Sequence, residues 1–357
     1  MPHRAGGPAR TRSTRALARP GALAALLAAG LLLTGLCTAS AAPTPTTPTT
    51  PTPTTPTPTT PTTLTPTTAG PAAAQAPSGR HGRPVYYVAL GDSLAQGVQP
   101  ATPPLPPGVA LGQSIETNAG YANDLYAHYQ RAFGGALTLV KLGCPGETST
   151  SMLTGAGSPC AYRQGSQLAA ALAFIAAHRS QVALITIDIG ANDVDGCATA
   201  TSISQSCVTT GLRTVARNLP LILGALRRAA GRATVVAGMN LYDPFLADYL
   251  TGAAGRQLAT ESVALAQSLN QLLGRGYHAF GVRTADVQDA FSTTDFSATV
   301  PLPGVGPVPL NVARICQWTW MCAPAPVGPN IHANATGYRR IAAAFERAIG
   351  SLGRRFR

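Results

Sequence analysis

From Pro84 onward, short runs of almost uninterrupted apolar residues alternate with longer stretches in which apolar positions recur every three or four residues. The short runs, "VYYVAL" (85–90), "LTLVKL" (137–142), "VALITIDIG" (182–190), "ATVVAGM" (233–239) and "VRTADV" (282–287), read as strands. A run as continuously apolar as 182–190 leaves no face for water, which suits a parallel sheet covered on both sides. Helices are expected between the strands, near 119–133, 164–179, 208–230 and 255–275. The final helix is the best marked, because Tyr338, Ile341, Phe345 and Ile349 form one stripe after the turn-like "NATG". About 270 residues are ample for one core, and the alternation predicts a three-layer α/β/α domain with a mainly parallel five-stranded sheet. There is no internal repeat.

The first 83 residues follow a different logic. Five arginines and no acid in the first 42 residues, the apolar "GALAALLAAGLLLTGL" (Gly21 to Leu36) and the small "ASA" (39–41) are ordered as in a secretory signal peptide, residues 1–41. Its apolar core is 16 residues, short of the roughly 20 that span a bilayer, so cleavage rather than anchoring is expected. Cys37 leaves with the signal, since bulky Leu36 precedes it where a lipoprotein signal has a small residue. Residues 42–83 form a stalk and leader: Pro43 to Thr68 are all Pro or Thr except Leu64, a composition that is extended and has nothing to bury. The folded domain is placed at 84–357, and the chain is read as exported, with the stalk able to hold it near a cell surface.

Export changes the cysteine chemistry. Six cysteines remain, and in an oxidising compartment their spacing pairs them locally as Cys144–Cys160, Cys197–Cys207 and Cys316–Cys322. There is no CxxC, and neither a metal nor a cofactor is expected. Removal of five of the 26 basic residues leaves 21 against 14 acidic ones, a net charge of +7 with arginines clustered in the C-terminal "GRRFR". That balance can favour cell walls or lipid headgroups. No interleaved aromatics point to nucleic acid, and a monomer is expected.

Ligands of open α/β sheets bind at the C-terminal ends of the strands. Ser93, Gly146 and Asn192 each lie just past an expected strand end. A serine after a strand is either a helix cap or a nucleophile, and as a nucleophile it needs a neighbouring base. "GDSLA" lacks the second glycine of the G-x-S-x-G elbow. Four separated stretches nevertheless share one pattern: "LGDSL" around Ser93, "GCPGETS" with Gly146, "IGAND" with Asn192 and "NIHANATGY" with His332. In this order and spacing the chain resembles the SGNH (GDSL) hydrolase family over essentially all of 85–351.

The resemblance implies a flavodoxin-like sheet and a serine ester hydrolase. Ser93 would be the nucleophile and His332 the general base. The N–H groups of Ser93 and Gly146 and the Asn192 amide would form an oxyanion hole. Three donors aimed at the developing negative oxygen stabilise a tetrahedral intermediate more than the ground-state carbonyl. Of the six histidines, only His332 has the matching surroundings. The family places an Asp three residues before that His; here the position is Pro329, and no acid occurs between Asp295 and His332. Either a distant carboxylate folds in, or a backbone carbonyl, with Pro329 the nearest candidate, holds the ring in a Ser–His dyad. Asp92 is expected to hydrogen-bond its own turn, Asp188 to be structural and Asp193 to brace its own loop.

The substrate is the least legible part. "VPLPGVGPVPL" (300–310) followed by "CQWTWMC", with Trp318, Trp320 and Met321, is an apolar stretch that either lines an acyl groove or packs on the sheet. The reading taken is an extracellular, lipase-like carboxylester hydrolase acting on lipid-like acyl esters. A carbohydrate acetylesterase of the same family and a non-catalytic cell-wall module are the alternatives.

Overall fold

The computed structural model describes residues 83–199 and 201–352. The signal peptide, nearly all of the stalk and the C-terminal arginine cluster lie outside the described residues. No helix among the described residues is long and apolar enough to cross a membrane.

Five parallel strands make the central sheet: β1 (Val85–Gly91), β2 (Leu137–Lys141), β3 (Val182–Asp188), β4 (Val235–Met239) and β5 (Arg283–Ala285), in the order β2-β1-β3-β4-β5. This is the doubly wound flavodoxin-like order, whose switch point lies between β1 and β3. β3 is buried at all seven positions, as its unbroken apolar run requires. β5 is the shortest strand and exposes two of its three residues at the sheet edge. Asp286 stops it there by capping the next turn, its side chain accepting from Asp289 N.

The helix Tyr121–Gln130 packs on the last helix (Ala335–Ile349), with Tyr121 stacked on Phe345 at 4.9 Å. Helices 167–177, 205–229 and 253–279 make a second contiguous row. All five expected helices are present; those at 205–229 and 253–279 run longer than their patterns suggest. Ser204 starts the first of them by accepting from Cys207 N.

The sequence pattern missed the short elements, which hold too few residues to show a period. They include Ser93–Gln96, Ser149–Thr154, the hairpin 299–302/306–309 and the helix Leu310–Trp318. The hairpin settles the place of the 300–310 stretch: Leu302 and Val308 are buried in a small separate cluster with Val312 and Ala313. Disulfides join Cys144 to Cys160, Cys197 to Cys207 and Cys316 to Cys322.

Candidate active site

Strand β1 ends at Gly91 with φ +136°, where an added Cβ would lie 2.3 Å from the Asp188 carbonyl oxygen. Only glycine lets β1 and β3 end side by side at the switch point. The chain then enters the short helix Ser93–Gln96, whose cap is Asp92: its Oδ1 accepts from Leu94 N at 2.9 Å. Ser93 is therefore not the cap. It is the first helical residue, and its N–H is among the orphan donors of a helix start. Asp188, pinned by Asp92 N and the Tyr121 hydroxyl, is pushed well above the usual carboxylate range by burial first and by neighbouring Asp92 second.

Two loops bring further donors to the same strand ends. Gly146 turns the chain at φ +82° ahead of the helix Ser149–Thr154, which starts with a capping box formed by Thr148 and Ser151. Asp193 clamps that helix, accepting from Ser149 N at 2.8 Å and Ser149 Oγ at 2.7 Å. Its bonds thus reach across to the helix Ser149–Thr154 instead of bracing its own loop, because its carboxyl faces that helix's free N-terminal donors. Beside it, Asn192 Nδ2 donates to Glu147 O at 3.0 Å and to Asp92 Oδ2 at 3.3 Å. Both partners are acceptors, so the amide nitrogen is correctly placed. Ser93, Gly146, Asn192 and His332 line one open cavity of about 370 Å³, with Ser114 and Glu116 at its polar side. If Asn192 serves a developing oxyanion, Asn192→Ala lowers kcat by about 10²–10³ with KM little changed, measurable by steady-state ester hydrolysis.

His332 sits on the loop that enters the last helix. The loop is held on several sides: Trp320 N donates to His332 O at 3.0 Å, the Tyr242 hydroxyl to Ile331 O at 2.8 Å, and the Cys316–Cys322 bond closes its start. The ring nitrogen Nδ1 lies 2.7 Å from Asn330 Oδ1, and the His332 backbone N–H donates to that same oxygen at 3.0 Å. The Pro329 carbonyl is thus not the orienting group, and no carboxylate among the described residues hydrogen-bonds the ring. An Asx turn supplies the partner instead, folding the Asn330 side chain over its own chain onto the residue two positions later. Because a backbone N–H can only donate, the atom facing it is an oxygen, and Nδ1 must carry the proton that reaches it. Nε2 is left with its lone pair. Asn330 Nδ2 in turn donates to Ser114 Oγ at 3.1 Å. Burial pushes the imidazole down to about 4, so the ring is neutral at ordinary pH. No hydrogen bond joins Ser93 to His332; such bonds commonly tighten only around a substrate.

On the other side of Ser93 and His332 lies a more enclosed, largely apolar pocket of about 100 Å³. Its walls come from Ile203 just before the helix 205–229, Val208 and Leu212 at its start, Phe245 after β4, and Leu265 and Leu269 of 253–279. The 300–321 stretch has no part in it. Trp318 is instead edge-on to Phe291 and covered by the guanidinium groups of Arg314 and Arg340, each 5.0 Å from its ring.

A family model described as GDSL-like lipase/acylhydrolase matches residues 89–340. Solved structures with similar folds include an extracellular lipase from Streptomyces rimosus, 19% identical over 74% of this chain and 99% of that one, with a TM-score of 0.43. A phospholipase A1 from Streptomyces albidoflavus is 18% identical, covering 74% and 99%, with a TM-score of 0.43. An acetyl xylan esterase from Geobacillus stearothermophilus is 14% identical, covering 76% and 96%, with a TM-score of 0.41. No curated protein matches the sequence.

Proposed function

The chain belongs to the GDSL-like lipase/acylhydrolase family, and on that premise we propose that it is a serine carboxylester hydrolase working through an acyl-enzyme. The observation that carries this reading is the meeting of Ser93, His332, Gly146 and Asn192 around one cavity, next to an apolar pocket. Ser93 Oγ attacks the acyl carbonyl and passes its proton to His332 Nε2. The N–H groups of Ser93 and Gly146, with Asn192 Nδ2, hold the oxyanion. His332 returns the proton to the departing alcohol, leaving the acyl group on Ser93. Water, deprotonated by His332, then attacks that ester and frees the acid.

The apolar pocket takes the acyl chain, and the open cavity beside Ser114 and Glu116 takes the alcohol. Size decides the chain length. A cavity of about 150 Å³ accommodates a benzene ring, so the 100 Å³ here holds about four carbons beyond the carbonyl. Acetyl would leave most of it empty. Initial rates of residues 43–357 on p-nitrophenyl esters should therefore peak between butyrate and hexanoate and fall toward palmitate. A maximum at acetate would replace this reading with deacetylation, and a maximum at palmitate would mean a long-chain lipase. The basic, apolar and small-residue order of 1–41 and the three disulfides support export, with 42–83 as a spacer between the catalytic domain and the cell surface.

A further inference from the structure

The acyl pocket contains three carboxyl groups and no lysine or arginine. Two of the three are satisfied. Asp243 accepts from Phe245 N at 3.0 Å and from Ser262 Oγ at 2.7 Å. Asp92 accepts from Leu94 N and from Asn192 Nδ2. Asp195 is different: its side chain has no hydrogen-bond partner among the described residues, yet it lines the pocket beside Val194, Ala198, Ile203 and Val208. The carboxyl is half-buried and holds no protein partner, so its hydrogen-bonding capacity is open to whatever enters the pocket.

The position is fixed rather than incidental. Asp195 opens a single turn of helix, Asp195–Cys197, whose last residue is bonded to Cys207 at the start of the pocket-forming helix. Burial first, then the neighbouring carboxyls Asp92, Asp243 and Asp193, push Asp195 up to about 8. It therefore carries its proton at neutral pH. A neutral carboxyl offers one donor and one acceptor, the same pair that an alcohol offers. A cationic ligand would instead require an ionised carboxylate among aliphatic walls, which is the expensive state.

We propose that the acyl pocket is built for a hydroxylated acyl chain, whose hydroxyl is bound by Asp195. This rests on the ester-hydrolase reading above and narrows its substrate class. A site built around a polar group discriminates against the analogue that leaves the group unpaired, whereas an added hydroxyl in a purely apolar pocket is only a burden.

The test compares ethyl hexanoate, ethyl 3-hydroxyhexanoate and ethyl 5-hydroxyhexanoate, followed by acid release, with the wild-type chain and with Asp195→Leu and Asp195→Asn. The expected result is a kcat/KM at least about 10-fold higher for one of the hydroxy esters than for hexanoate in the wild type. That ratio should invert in Asp195→Leu and survive, at least in part, in Asp195→Asn, whose amide still donates and accepts. A wild type that prefers the plain ester to both hydroxy esters overturns the proposal, even if the leucine variant fails to fold. So does an unchanged ratio in a folded Asp195→Leu. Hydrolysis of none of the three esters by the wild type would overturn the ester-hydrolase reading, and this inference with it.

Discussion

Replacing Ser93 with alanine should lower kcat for a short acyl ester by about 10⁶, to the residual rate that oxyanion donors and binding alone provide. KM should change little, because the apolar pocket and the open cavity keep their other walls. The folded state should also be nearly unaffected. The capping bond at this helix start comes from Asp92, so the variant loses no cap, and its thermal midpoint should stay within about 2 °C. These two outcomes separate the roles that a serine after a strand can play. A structural serine would cost stability and spare the rate; a nucleophile does the reverse. Covalent labelling gives a second check: a serine-directed phosphonate should modify the wild type once, at Ser93, and leave the alanine variant unmodified. A variant that hydrolyses esters at the wild-type rate would return Ser93 to a structural role and favour a non-catalytic cell-wall module.

What could be read from the sequence depended on the kind of signal each feature leaves. The sheet was legible because β3 is apolar at nearly every position, and only burial on both faces explains that. The long helices were legible from their stripes, and their ends were set by caps such as Ser204 and Asn334. The apolar pocket was not. Much of its wall is apolar positions of two amphipathic helices, and a residue that faces a cavity has the same period as one that faces the core. In the tryptophan-rich stretch, the Trp318 ring is occupied by Phe291, Arg314 and Arg340. Asp195 left no pattern at all, since an acid in a loop is ordinarily solvated. Asn330 did leave a signal, an Asn two residues before the histidine, as an Asx turn requires. The acid expected three residues before it is replaced by Pro329, and the partner stands one residue further on, at Asn330.

That asparagine gives the sharpest test of the proposal that His332 is the base. In a serine protease triad, Asn in place of Asp costs about 10⁴ because it presents the wrong atom and favours the wrong tautomer. Here the His332 backbone N–H forces Asn330 to turn its oxygen toward the ring, and Ser114 Oγ takes up the amide nitrogen. The correct tautomer is thereby held without a charge. Removing the hold with Asn330→Ala should lower kcat by about 10²–10⁴, the range between losing one oriented partner and losing the tautomer altogether. A rate loss alone could also follow from a disturbed loop, so the pH profile is the deciding readout. With the imidazole pushed down to about 4 by burial, the wild type should keep kcat/KM constant as pH falls and lose it only near pH 4, where His332 is protonated. Asn330→Asp places a carboxylate against Nδ1, which favours the imidazolium and raises that pKa by roughly 1–3 units. The acid limb should then move up by the same amount while activity above it is retained or increased. An acid limb that stays near pH 4 in the aspartate variant, or an alanine variant with the wild-type rate, would mean that Asn330 shapes the loop and does not orient the base.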